Sequence, residues 1–213
     1  DKFSAGIAGR YEDYSDFGDA ISGKLSARYA FTDTVALRAT ASTGFRAPSL
    51  AQQNYQVITS SVDSSGVFTQ RGTFPATSAA ATALGAEPLK QEKSTSFSAG
   101  LVLHPSERLS LTVDAYQIEI DDRIVLSSPL NIDPTAAANA GTPSRRAAAL
   151  AAQALLANLG INGVTSFNYF TNAIDTRTRG VDVVASYTIP FTASALDLTA
   201  SYGYSKTEIT TIA

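Results

Sequence analysis

Apolar and polar residues alternate along most of this 213-residue chain. Period two is the mark of a strand whose two faces meet different surroundings. The apolar sets are Phe3/Ala5/Ile7/Gly9/Tyr11, Ile21/Gly23/Leu25/Ala27/Tyr29/Phe31, Val35/Leu37/Ala39/Ala41/Phe45 and Phe97/Ala99/Leu101/Leu103. They continue with Leu109/Leu111/Val113/Ala115, Val181/Val183/Ala185/Tyr187/Ile189 and Leu196/Leu198/Ala200/Tyr202/Tyr204. About seven strands are predicted on this test. Their opposite faces carry Lys24, Arg28, Arg38, Asp114, Asp182 and Asp197. One stretch, LSLTVDAYQIEIDDR from Leu109 to Arg123, changes hands: its apolar residues are odd-numbered up to Ala115 and even-numbered from Tyr116.

The connections are of two kinds. FTDT (Phe31 to Thr34), HPSE (His104 to Glu107) and PFTASA (Pro190 to Ala195) read as tight turns rich in Pro, Asp, Ser and Thr. The other links are one short one around YSDFGD and two long ones, from about Ala47 to Lys90 and from about Ser127 to Phe167. Structureless links beyond about 15 residues are rare in compact soluble domains. Short and long connections alternate, so the turns fall at one end of the sheet and the loops at the other, as in an outer-membrane barrel. Within the second loop, TPSRRAAALAAQALLANLG predicts a short helix, with Thr142 as N-cap, Pro143 at the first helical position and Gly160 at the end.

Height explains the change of phase. A strand tilted by about 45° climbs about 2.3 Å per residue, so ten residues span about 23 Å, close to the roughly 25 Å apolar band of an outer-membrane barrel. Counting ten residues from the tight-turn end reaches Lys93, Glu119, Arg179 and Lys206 on four of the strands. On two others the count reaches Ile21 and Phe45. The face bearing Asp114 cannot meet lipid, where a charge costs a few kcal/mol. Leu109, Leu111, Val113 and Ala115 therefore face lipid, and by residue 117 the strand is leaving the membrane. Tyr116, Ile118 and Ile120 then either line the inner wall or follow a bulge that flips the phase. Aromatic residues fit two girdles: Phe3, Tyr29, Phe31 and Tyr187 near the turns, and Tyr11, Phe45, Tyr202 and Tyr204 near the loops.

Composition narrows the function classes. The net charge is −3, which gives no basic footprint for nucleic acid. Cys is absent, which removes disulfides, thiolate metal sites and Cys nucleophiles. No apolar run is long enough for a transmembrane helix, and no basic n-region followed by an apolar h-region opens the chain, so any signal peptide is expected to have been removed. The single His, His104, is expected in a turn and has no convergent partners for metal or triad chemistry. Asp121 and Asp122 are adjacent strand residues on opposite faces, a solvated rim and no carboxylate dyad. No catalytic residue, metal site or cofactor is expected. Arg38 and Arg46 share parity with Lys24 and Arg28, a basic inner wall that serves a plug or anionic ligand, or is ordinary lumen polarity.

Four motifs also resemble one family, in order along the chain. GFRAPSL (Gly44 to Leu50) is similar to a strand-end motif of TonB-dependent outer-membrane receptors. LKQEKSTSFSAGL (Leu89 to Leu101) matches the family's Leu-Lys-Pro-Glu-Lys-Ser pattern, with Gln91 in place of Pro. YQIEIDDRI (Tyr116 to Ile124) and NAIDTRTRGVDV (Asn172 to Val183) resemble the strands that follow. The resemblance implies an all-β antiparallel up-and-down meander, part of a 22-stranded transmembrane barrel with an N-terminal plug, in the outer membrane of a Gram-negative bacterium.

Residues 1–213 are then expected to be a piece of the later barrel, an excerpt of a longer chain. Residues 47–90 and 127–167 are the expected extracellular loops. The implied function is TonB-dependent uptake of a scarce small molecule such as a ferric siderophore. Expected partners are outer-membrane lipid, the plug, the TonB complex and that ligand. The alternative is a passive porin or surface-binding β-protein. Candidate lumen-facing residues are Lys24, Arg28, Arg38, Arg46, Asp114 and Asp182; Tyr55 and Arg71 are candidates for the ligand mouth.

Overall fold

The structure is a computed structural model that describes residues 2–15, 18–62, 66, 68–132 and 143–212. The chain gathers into two units. The first comprises Asp1–Arg46, Glu92–Asp121 and Ile174–Ile212, and the second is built mainly from Ala47–Gln91 and Asp122–Ala173.

The first unit is a seven-stranded antiparallel sheet. Its strands are β1 (Phe3–Tyr14), β2 (Gly18–Ala30), β3 (Val35–Arg46), β6 (Glu92–Ser106), β7 (Leu109–Leu126), β10 (Phe170–Pro190) and β11 (Ala195–Ile212), and neighbours in space follow this order. The meander expected from the alternation is present, each apolar set lying on one of these strands except for Phe31, which falls just past the end of β2. At the β2–β3 turn, Thr32 Oγ1 accepts N–H bonds from Thr34 (3.2 Å) and Val35 (3.0 Å), which closes a tight connection. The HPSE turn is shorter than expected. β6 runs through His104 to Ser106, with a register shift between Leu103 and Ser106. Pro105 in that interval has no N–H for the ladder, so the strand bulges and still continues. His104 is thus a strand residue, its N–H bonded to Thr34 O at 2.8 Å.

The phase change in β7 is not a bulge. Pairing with β6 is unbroken from Leu103↔Leu111 to Lys93↔Asp121. Tyr116, Ile118 and Ile120 therefore share the face of Asp114, which is the first of the two alternatives the pattern allows.

The second unit holds far more regular structure than one helix. A small sheet orders as β4-β5-β9-β8, from β4 (Val57–Val62), β5 (Phe68–Thr73), β8 (Leu130–Asn131) and β9 (Ser166–Asn168). β5 and β9 pair in parallel, so segments from both long links share one sheet. Among the described residues three helices accompany it: α1 (Leu50–Asn54), α2 (Ala79–Ala83) and α3 (Pro143–Asn158). α3 is the expected helix, starting at Pro143; its proposed cap Thr142 lies outside the described residues. Its end is a Schellman closure. Gly160 takes φ +76° and bonds Ala157 O (3.0 Å), while Ile161 N–H reaches Leu156 O (2.8 Å). The unit has its own core, in which Phe74, Ala80, Ala81, Ile132, Ala149, Leu156, Phe167 and Tyr169 pack together. Phe74 and Phe167 stack with ring centroids 4.9 Å apart and planes at 6°.

Candidate functional site

Cross-strand register sorts the large sheet into two faces, because directly paired residues point the same way. Ser4, Arg28, Arg38, Gly100 and Asp114 form one row across five strands. Lys24 pairs with Ser42, and Ser42 with Ser96, on the same face. The opposite face carries Leu37, Leu101 and Val113 at neighbouring positions. Lys24, Arg28, Arg38, Arg46 and Asp114 thus occupy a single polar face.

Two ion pairs organise that face. Arg38 grips Asp114 with a forked contact, Nε to Oδ1 at 2.9 Å and the second nitrogen to Oδ2 at 2.5 Å. The partners sit on β3 and β7, with β6 between them. The bridge is possible because the residue beneath it is Gly100: a Cβ there would come within 1.9 Å of Asp114 Oδ1 and 2.9 Å of Arg38 Nε. A side chain at 100 would push the pair apart. Arg46 makes a similar fork to Glu92 (2.9 and 2.5 Å), its direct register partner. Arg38 is half exposed, so its pair contributes at most about 1 kcal/mol to stability. The pair fixes positions more than it adds stability.

Three other charges of the face are uncompensated. Lys24, Arg28 and Asp182 are exposed and make no ion pair among the described residues. Arg28 stands directly opposite Arg38, so the Asp114 carboxylate also relieves a like-charge contact across β2–β3. Asp182 has Gly203 as register partner, and a Cβ at 203 would sit 2.9 Å from its Oδ1. Tyr116 lies over Gly180 in the same manner. Small residues under large polar ones keep this wall low where side chains lie flat.

On the other face, polar contacts begin just past Ala115. Arg177 Nε bonds Glu119 and Arg179 Nε bonds Gln117, each at 2.6 Å. These positions match the height at which the alternation predicts the outward side to turn polar.

In the second unit, Tyr55 follows α1, is exposed, and meets Phe170 edge-to-face at 6.5 Å. Arg71 lies in β5 between Thr59 and Ser166 and is also exposed. The two are on different elements and make no hydrogen bond or ring contact with each other among the described residues.

Sequence reasoning overlooked Asn172, which ties three segments of this unit together. Its Oδ1 accepts the Lys90 N–H (2.9 Å), while its Nδ2 donates to Lys90 O (3.0 Å) and Asp122 O (2.6 Å). Asp122 turns the chain there with φ +56°, a left-handed conformation that Asp tolerates better than most residues. Thr73 and Asn168 form a buried bond of 2.6 Å between the two loops. Tyr169 is nearly buried, and burial pushes its phenol up from the ordinary value, so it stays neutral.

Comparison with known proteins fits this architecture. A family described as "TonB dependent receptor-like, beta-barrel" matches residues 1–212. No curated protein sequence matches. Among solved structures, the siderophore receptor PirA from Pseudomonas aeruginosa superposes with a TM-score of 0.61 at 16% identity, over 98% of this chain and 32% of that one. The ferric enterobactin receptor PfeA of the same organism, as an R480A mutant with enterobactin bound, gives 0.59 at 16%, over 94% and 24%. The RagAB peptide importer gives 0.58 at 17%, over 99% and 21%. At this identity the likeness is one of fold, and the chain spans a third or less of these structures. With the family match over almost its whole length, the chain belongs to the β-barrel family of TonB-dependent receptors, proteins of the Gram-negative outer membrane.

Proposed function

We propose that this chain forms part of the wall and mouth of a receptor that takes up a scarce ligand, such as a ferric siderophore, with energy delivered through TonB. The observation that carries the reading is the second unit. Residues 47–91 and 122–173 connect strands of a membrane meander, and yet they build a sheet, helices and a core of their own. A passive pore needs connectors, whereas a receptor needs a surface shaped to hold something. Long links of outer-membrane barrels are extracellular, which makes this unit part of the ligand mouth, with Tyr55 and Arg71 on its exposed surface. The polar face with Lys24, Arg28, Arg38, Arg46, Asp114 and Asp182 lines the lumen. There the exposed charges of Lys24, Arg28 and Asp182 are available to a plug domain or a passing ligand. The opposite face meets lipid.

The ligand is tested by uptake. Cells lacking the full receptor gene are compared with complemented cells under iron limitation, using labelled ferric siderophores. Because one structural relative is a peptide importer, labelled peptides form the second arm. Saturable uptake of one ligand class that disappears without TonB is expected. Uptake that persists without TonB would favour the passive porin.

A further inference from the structure

The small sheet of the second unit has two edges, and they are unlike. β8 closes one side and is two residues long, too short to recruit another strand. β4 closes the other side with six residues, VITSSV. Its register with β5 runs unbroken from Val57↔Thr73 to Val62↔Phe68.

The backbone groups that face outward follow from the bonds of β5. Gln70 O accepts the Thr165 N–H at 2.9 Å, and just past the strand Phe74 N–H donates to Asn168 O at 3.1 Å. Even-numbered residues here turn their amides toward β9. Along a strand the amides alternate between its two sides, so Thr69, Arg71 and Thr73 turn theirs toward β4. Their register partners Ser61, Thr59 and Val57 complete that ladder. The open side of β4 is left with the N–H and C=O groups of Ile58, Ser60 and Val62. None of these bonds another backbone group among the described residues.

Native edges are guarded by shortness, a charge, a proline or a bulge. β8 is guarded by shortness, whereas β4 has none of these devices. Val57, Ile58, Thr59 and Val62 are β-branched, which favours strand pairing. Ile58 is 40% exposed and Val62 63% exposed. The chemistry of the edge selects its occupant. Donors and acceptors that repeat every two residues, about 6.8 Å apart, match the backbone of another extended polypeptide.

We propose that a strand from another extracellular loop of the same receptor, outside these 213 residues, pairs with β4 and extends the small sheet. Permanence favours that source. An edge kept for a passing peptide would stand bare between encounters and would then need the guards that β4 lacks. This chain covers 32% or less of the solved relatives, so a receptor of their length holds further loops. Tethered to the same barrel, such a loop reaches an effective concentration of the order of millimolar. Apolar or β-branched residues of the incoming strand opposite Ile58 and Val62 complete the cross-strand pairs. The inference rests on the placing of this unit in the mouth of the receptor.

The test is hydrogen exchange, read residue by residue, on the full-length receptor without ligand. Amides of Thr59 and Ser61 are the internal reference, because β5 holds them. Those of Ile58, Ser60 and Val62 should be protected to within about tenfold of that reference. Exchange near the free-chain rate would overturn the proposal. So would protection that appears only with added peptide, or only at high receptor concentration, which would point to a guest or a second copy. Ser60→Pro removes one outward N–H in a conformation that an edge strand accepts. It should speed exchange at Ile58 and Val62 by about tenfold or more while Thr59 keeps its protection; unchanged exchange at both would overturn the pairing. A photo-reactive residue at position 60 identifies the partner by mass spectrometry. A cross-link to a receptor segment outside residues 1–213 is expected, and one confined to residues 1–213 would overturn the assignment. Uptake separates this inference from the reading beneath it. A protected, cross-linked edge in a receptor that takes up no ligand rejects the uptake reading alone. Uptake by a receptor whose β4 edge is open rejects the strand pairing alone.

Discussion

Alanine in place of Phe167 is expected to melt the unit built from residues 47–91 and 122–173 while the barrel remains inserted. Phe167 is fully buried, stacks on Phe74 and touches Tyr169 at a centroid distance of 6.2 Å. Truncating such a ring costs about 3–5 kcal/mol, comparable with the whole stability of a small domain, about 5 kcal/mol at the low end. The loss spreads further because Phe167 sits in β9, the strand that joins the two loops through β5 and β8. Hydrogen exchange of the full receptor reads the outcome. Amides of Thr73 and Asn168 should lose protection, those of β3 and β6 should keep it, and ligand uptake should fall with the first group. Unchanged protection at Thr73 would mean that the two loops do not depend on this core.

The second large effect concerns charge and face. Val113→Arg places a guanidinium on the apolar side about 9 Å above the tight-turn end. It should destabilise the barrel by about 2–4 kcal/mol, the cost of Arg near the midplane of a lipid-facing wall. Thr112→Arg moves the same charge by one residue, onto the face of Asp114, where water is expected; its effect should lie within about 0.5 kcal/mol. Urea unfolding of the receptor in lipid vesicles measures both. Equal costs at 112 and 113 would mean that the two faces do not differ in solvent.

The seven long strands were legible because each meets two different solvents, which writes period two directly into residues such as Leu109 to Ala115. The height at which Gln117, Arg179 and Lys206 turn the apolar face polar was legible for the same reason. The loops were not. β8 is two residues and β9 three, too short for any period to show. They exist because partners about 95 residues apart meet, as Thr73 and Asn168 do. One signal was there to be read: Ser49 and Gln52 make a capping box at the start of α1, and the spacing Ser-x-x-Gln announces it. In the wall, parity collected Arg38 and Asp114 on one face, but their bond depends on Gly100 of an intervening strand. Parity orders residues along a strand and is silent about what a neighbouring strand leaves open.

The orientation of the sheet in the membrane is the claim on which the rest depends, and a cysteine scan of β7 tests it most directly. Single cysteines from Leu109 to Asp121 of the full receptor would carry a fluorophore, quenched in turn by lipid-soluble and water-soluble reagents. Lipid quenching is expected at 109, 111, 113 and 115 and not at the even positions, and it should fade by 117 while water access rises. Lipid quenching at 114, or an even-numbered pattern after 116, would contradict the account.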